Sequence, residues 1–194
     1  MSLSRHVSRL RIAAVALAMC APVAAARAQD PFDAKSAGHV RDRYLADMDT
    51  LHKKVLQLAN AIPEDKYSWR PSKDVRTVSE VFMHVAGEWY YFMPMAFAGK
   101  APAGFVPKDT LTGLVGLEKT RTTKAQVLAE LEKAWAHGRN EIATADVSKL
   151  TGTYKPWNIT IDDAANVMGG DLHEHLGQLI VYARSVGVKP PWSK

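Results

Sequence analysis

Apolar residues recur along this chain at steps of three and four. Val40, Tyr44, Met48, Leu51, Val55 and Leu58 trace one face of a helix that ends before Pro63. A turn-rich connection, IPEDKYSWRPSKDVR, follows. Thr77 with Glu80 three residues later reads as a capping box, and Val81, Val85, Trp89 and Phe92 continue the stripe of a second helix until Pro94 ends or kinks it. From Gly99 to Thr122 the glycines and prolines predict a long loop with one short helix. Thr123 with Gln126 opens a third helix, faced by Val127, Leu131, Ala134, Trp135 and Ile142. Thr160 with Asp163 caps a fourth, whose stripe runs Ala164, Met168, Asp171, His175, Gln178 and Tyr182 and stops at Gly187. Period-two runs and Asn-Gly turns are missing, so no strand is expected. The pattern predicts an all-α fold, a four-helix bundle with long loops between helices.

Residues 1–28 stand outside that pattern. Arg5, Arg9 and Arg11 precede the apolar run IAAVALAMCAPVAAA, which closes in Ala26-Arg27-Ala28. A basic start, a short apolar core and an A-x-A site predict a secretory signal peptide cleaved after Ala28, and hence a periplasmic or secreted protein. The run is too short for a membrane span. The rival reading, a lipid anchor on Cys20, is disfavoured by Met19 in front of it.

Removing the leader changes what the composition says. The full chain has 25 basic and 20 acidic residues, a formal charge of +5. The leader carries four arginines and no acids, so 21 basic residues remain and the charge falls to +1. Nothing in that balance points to nucleic acid. Cys20 is the one cysteine, so residues 29–194 hold no disulfide, thiolate nucleophile or Cys-ligated zinc. They are long enough for a single domain with a sizeable core.

The candidate chemistry lies in GGDLHEHLGQL, residues 169–179, where an otherwise apolar helix carries Asp171, His173, Glu174 and His175. On a helix, residues i and i+4 lie on one face, whereas i and i+2 point about 200° apart. Asp171 and His175 therefore converge within the buried stripe. His173 shares a different face with Asn166, Gly170, Gly177 and Ile180, and Glu174 reads as a solvated group. Gly169 and Gly170 each cost about 1 kcal/mol in a helix interior relative to Ala, which suggests close backbone approach or room for a ligand. On the second helix His84 lies on the buried side beside Val81 and Val85, with Glu88 one turn later. Asp171, His175 and His84 make three N/O donors, a set that suits one divalent ion: Zn²⁺, Ni²⁺, Mn²⁺ or Fe²⁺. A pair of hydrogen-bonded core residues is the simpler alternative, and helical spacing leaves both open. The aromatic group Trp69, Trp89, Tyr90, Tyr91 and Trp135 reads as core and loop packing.

Two stretches taken together, IPEDKYSWRPSKDVRTVSEVFMHVAGEWYYF and DLHEHLGQLIVYARSVGVKPPW, resemble the DinB-like (damage-inducible) four-helix metalloproteins over residues 36–192. The resemblance implies a four-helix bundle, often a dimer, with a divalent metal held by a His on the second helix and a His-x-x-x-His pair on the last. His84 matches the first of these and His175 the last, while Asp171 stands where the family pattern has His. Carboxylate in place of imidazole makes such a site harder and more anionic. His173 is the fallback third ligand if the helix is locally distorted. Some relatives are thiol-dependent transferases or isomerases, a chemistry a Lewis acid supports by lowering a thiol pKa.

Three functions remain open at this point. One is an exported metal-binding protein with transferase or hydrolase activity, in which Glu88 or His173 serves as general base. The second is a non-catalytic bundle that binds a small ligand or a partner. The third is a metal-free structural bundle with Asp171 and His175 paired.

Overall fold

The computed structural model describes residues 33–97 and 116–193. The leader assigned to residues 1–28, its cleavage site and most of the long loop from Gly99 lie outside the described residues. The main helices among the described residues are α1 (Ala34–Ala61), α2 (Val78–Tyr90), α3 (Phe92–Ala96), α4 (Lys124–Ala143) and α5 (Ile161–Ser185). Residues 116–120 are helical too and stand at the end of the long loop, as expected there.

The capping signals act where the sequence places them. Thr77 Oγ1 accepts from the Glu80 amide at 3.2 Å, and Glu80 Oε2 accepts from the Thr77 amide at 2.8 Å, so α2 starts with two of its orphan donors satisfied. Thr123 and Gln126 repeat the device on α4, and the Thr160 side chain accepts from the Asp163 amide at the start of α5. Asp33 caps α1, accepting from the Ser36 amide at 2.7 Å. The chain leaves α5 through Gly187 at φ +81°, a conformation glycine adopts without penalty. Pro94 does not kink α2: that helix ends at Tyr90, Tyr91 forms a turn, and Pro94 falls in the first turn of α3, where its missing amide donor costs nothing.

One expectation is corrected. The described residues contain two short antiparallel strands, β1 (Thr153–Tyr154) and β2 (Ile159–Thr160), with Thr153 opposite Thr160. Two residues per strand are too few for an alternation to register in the sequence. Asn158, at φ +52°, supplies the left-handed residue of the connecting turn.

The four long helices form a square in which α1 and α2 occupy opposite corners, each flanked by α4 and α5. The sixteen-residue connection between α1 and α2 makes this diagonal crossing possible. Met48, Leu51, Leu58, Phe82, Met83, Trp89, Leu131, Ile142 and Leu172 fill the centre and are fully buried. Trp89 and Trp135 meet edge to face at 5.4 Å, and Trp135 stacks on His52 at 4.8 Å, so these aromatics are packing residues. At the α2–α4 contact the absence of a side chain on Gly138 is a requirement. A Cβ there would sit 2.4 Å from the carbonyl oxygen of Trp89. This closeness holds the C-terminal end of α2, next to Glu88, in place.

Candidate metal centre

α2 and α5 are adjacent in the square, and the polar residues in their apolar stripes face each other. His84 and His175 approach edge to face with ring centroids 4.7 Å apart. Glu88 lies between them. Its Oε1 is 3.0 Å from His84 Nε2 and 3.1 Å from His175 Nε2. One ligand atom from each of the three residues falls within 4.8 Å of the other two, on a scale that one ion can span. Glu88 is 3% exposed, a burial a carboxylate tolerates only when it is compensated.

The far side of each imidazole is held as well. His84 Nδ1 lies 2.9 Å from Glu118 Oε1, and Glu118 in turn accepts from Arg76 Nε at 3.1 Å. His175 Nδ1 lies 3.2 Å from Gln178 Oε1. Gln178 Nε2 donates to Tyr182 Oη at 3.4 Å, and Tyr182 Oη donates to the Arg76 carbonyl at 3.0 Å. An Nδ1–H donating to a carboxylate or amide oxygen selects the tautomer whose Nε2 lone pair is free, which is the arrangement of metal-binding histidines. Both Nε2 atoms face the same carboxylate.

The electrostatics follow from these contacts. Burial pulls the His84 imidazole down, but the Glu118 and Glu88 carboxylates together outweigh it and carry its pKa up to about 9. His175 is raised too: burial opposes the shift and Glu88 drives it. Burial pushes Glu88 up, yet its hydrogen bonds to His175 and His84 win and hold it below the usual carboxylate value. Without a cation other than protons, the cluster is an imidazolium–carboxylate pair. Glu88 Oε2 is buried and has no hydrogen-bond partner. A divalent cation would satisfy that atom and both Nε2 atoms together, so the residues present fit one.

The residues singled out by spacing separate as their helical phase requires. His84 and His175 are brought together. Asp171 is on the same side at the rim, half exposed, with Oδ2 3.7 Å from His175 Nε2. Burial and then the Glu88 charge raise its pKa. His173 points elsewhere and pairs with Asp47 of α1 at 2.8 Å, with nearly half its side chain exposed. Glu174 is exposed. A Cβ on Gly169 would press on the Tyr44 ring at 3.0 Å, whereas Gly170 opens on free space. Close approach therefore explains the first glycine and leaves the second without a packing role.

Sequence reasoning placed Glu88 on the correct face but not between the imidazoles, although its i,i+4 spacing from His84 carried the signal. Glu118 was missed. It lies 34 residues from His84 in a segment without periodicity, and no local pattern could have found it.

A family model for the DinB superfamily matches residues 47–179, about two-thirds of the chain, and the chain belongs to that superfamily. Membership suggests a metal-binding helical protein. A search of curated proteins finds no match.

Proposed function

We propose that this member of the DinB superfamily is an exported protein holding one divalent metal ion, with a metal-assisted transferase or hydrolase activity. The observation that carries the reading is the pair of imidazole Nε2 atoms converging on Glu88 Oε1 at 3.0 and 3.1 Å. His84, Glu88 and His175 are the proposed ligands. Two imidazoles and a carboxylate suit Zn²⁺, Ni²⁺, Mn²⁺ or Fe²⁺. When bound, such an ion supplies Lewis acidity towards a thiol, water or carbonyl group.

The chain's own residues supply the rest. Glu118 and Gln178 fix the orientation of the two rings. Asp171 adds a second carboxylate at the rim, which we assign to accepting a proton at Oδ2. Its raised pKa makes it a better base than an ordinary surface aspartate. Buried Leu172 and Met168 give the site an apolar flank beside Glu88 and Asp171. The export leader at residues 1–28 and assembly as a homodimer belong to the same proposal. N-terminal mass measurement tests the first and light scattering the second.

The deciding experiment is metal analysis of protein purified without an affinity tag, with a melting series on metal addition. One ion per chain is expected. At a hundredfold excess over its dissociation constant the ion stabilises the fold by about 2.7 kcal/mol. For a chain of this size that is a rise of about 5–11 °C in Tm. Absence of bound metal together with no rise in Tm would leave the structural reading.

A further inference from the structure

The two sides of the paired imidazoles open on different surroundings. Behind the Nδ1 atoms lies a polar depression lined by Arg70, Arg76, Glu80, Glu118, Lys119 and Gln178, whose charged groups largely pair with one another. In front lies a cavity of about 280 Å³ whose lining includes Asp171 and Glu88, the carboxylate that both Nε2 atoms face. Its walls are Phe92, Met93, Trp157, Val167, Met168 and Leu172, which are all apolar. Of the two, only the front cavity is lined by Glu88, while Glu118 and Gln178 partner the ring nitrogens behind.

Three features define what fits. The volume is about twice the roughly 150 Å³ of an apolar cavity that accepts benzene, enough for one ring with a short substituent. The walls offer no hydrogen-bonding side chain other than the Trp157 indole, so the body of the ligand is apolar. The two charged groups lining the cavity, buried Glu88 and half-exposed Asp171, are both acidic. A donor in the ligand pairs with the Asp171 carboxylate, whereas in the metal-free protein a carboxylate or phosphate meets like charge and is rejected. Trp157 and Val167 are 43% and 51% exposed and are the mouth through which such a molecule enters.

We propose that this cavity is the ligand-binding pocket, and that it takes a small molecule with an apolar body about the size of one aromatic ring and a neutral or cationic hydrogen-bond donor at its head. The location of the head group rests on the metal reading above; the apolar pocket itself does not.

The test compares benzyl alcohol, benzylamine and benzoate with the ringless ethanol and methylamine, by ligand-observed NMR titration of the full protein. Chelator-treated and metal-loaded samples are titrated in parallel, with metal content measured on each. Burial of the ring should make benzyl alcohol and benzylamine bind about ten- to hundredfold tighter than their ringless partners in both samples. Benzoate should bind at least about tenfold more weakly than benzylamine to the chelator-treated protein. Trp157→Ser and Val167→Asn change exposed positions, and each should reduce the ring preference while leaving metal content unchanged. Equal binding of ringed and ringless compounds, or a ring preference untouched by both variants, overturns the pocket. Benzoate binding as tightly as benzylamine overturns the head group. A protein that takes up no metal yet keeps the ring preference overturns the metal reading and leaves the pocket standing.

Discussion

Gly138→Ala probes the contact that fixes the C-terminal end of α2. The added methyl would lie 2.4 Å from the Trp89 carbonyl oxygen and 3.3 Å from its carbonyl carbon, whereas ordinary contact begins at 3.4 Å. Both partners are backbone atoms of packed helices, so no side-chain rotation relieves the overlap. α4 must withdraw from α2 by about an ångström, loosening Trp135 against Trp89. Overpacking of this kind costs about 1–3 kcal/mol. Alanine returns about 0.4–1 kcal/mol through the reduced entropy of the unfolded chain. The net loss is about 1–2 kcal/mol, or about 2–8 °C in Tm for a chain of this length. Gly170→Ala is the control. It lies in the interior of α5 with nothing within 4 Å of its added Cβ, and it should stabilise by about 0.5–1 kcal/mol. The assay is urea unfolding followed by helical circular dichroism, with both variants and the parent on the same day. Because Trp89 follows Glu88, Gly138→Ala should also weaken metal binding, while Gly170→Ala should leave it intact. Equal stability of the two variants would falsify the close-contact argument.

Other outcomes follow from the same geometry. His84→Ala and Glu88→Gln should each abolish bound metal, measured by elemental analysis, while His173→Ala, whose partner is Asp47, should retain it; equal loss in all three contradicts the assigned ligands. Asp171→Asn should keep metal and lower any turnover found, so that loss of the metal itself would make Asp171 a ligand instead. The pH dependence has opposite signs with and without metal. In the metal-free protein the raised His84 contributes stability that is complete below its ordinary value near 6.5 and fades as pH climbs through about 9. Metal needs the neutral ring, so proton competition at His84 alone should weaken its binding about a hundredfold between about pH 7.5 and pH 5.5. Glu88, held below its ordinary value, stays ionised across that range. Calorimetric titration at the two pH values checks this, and a pH-independent affinity contradicts it. Mass spectrometry of protein recovered from the periplasm should find Gln29 at the N-terminus; an intact Met1 or a lipidated Cys20 contradicts the export proposal.

What the sequence determined by itself is local. Helix starts at Thr77, Thr123 and Thr160, helix ends near Pro63 and Gly187, and the apolar faces follow from capping chemistry and a 3.6-residue period. The same period separated His173 from His175 and put His84, Glu88, Asp171 and His175 on inward sides, because residues on one helix keep a fixed angular relation wherever the helix goes. Tertiary structure decided the remainder. Which helices are neighbours depends on how the long connections cross, and α1 and α2, consecutive in sequence, stand on opposite corners. Glu88 rather than Asp171 came to lie between the imidazoles because the height at which α2 passes α5 is set by packing, including the Gly138–Trp89 contact. Glu118 reached His84 from an aperiodic segment, and Trp157 reached the cavity mouth from a tight turn. A helical period specifies direction around one axis; the distance between side chains on different elements exists only after those elements have packed.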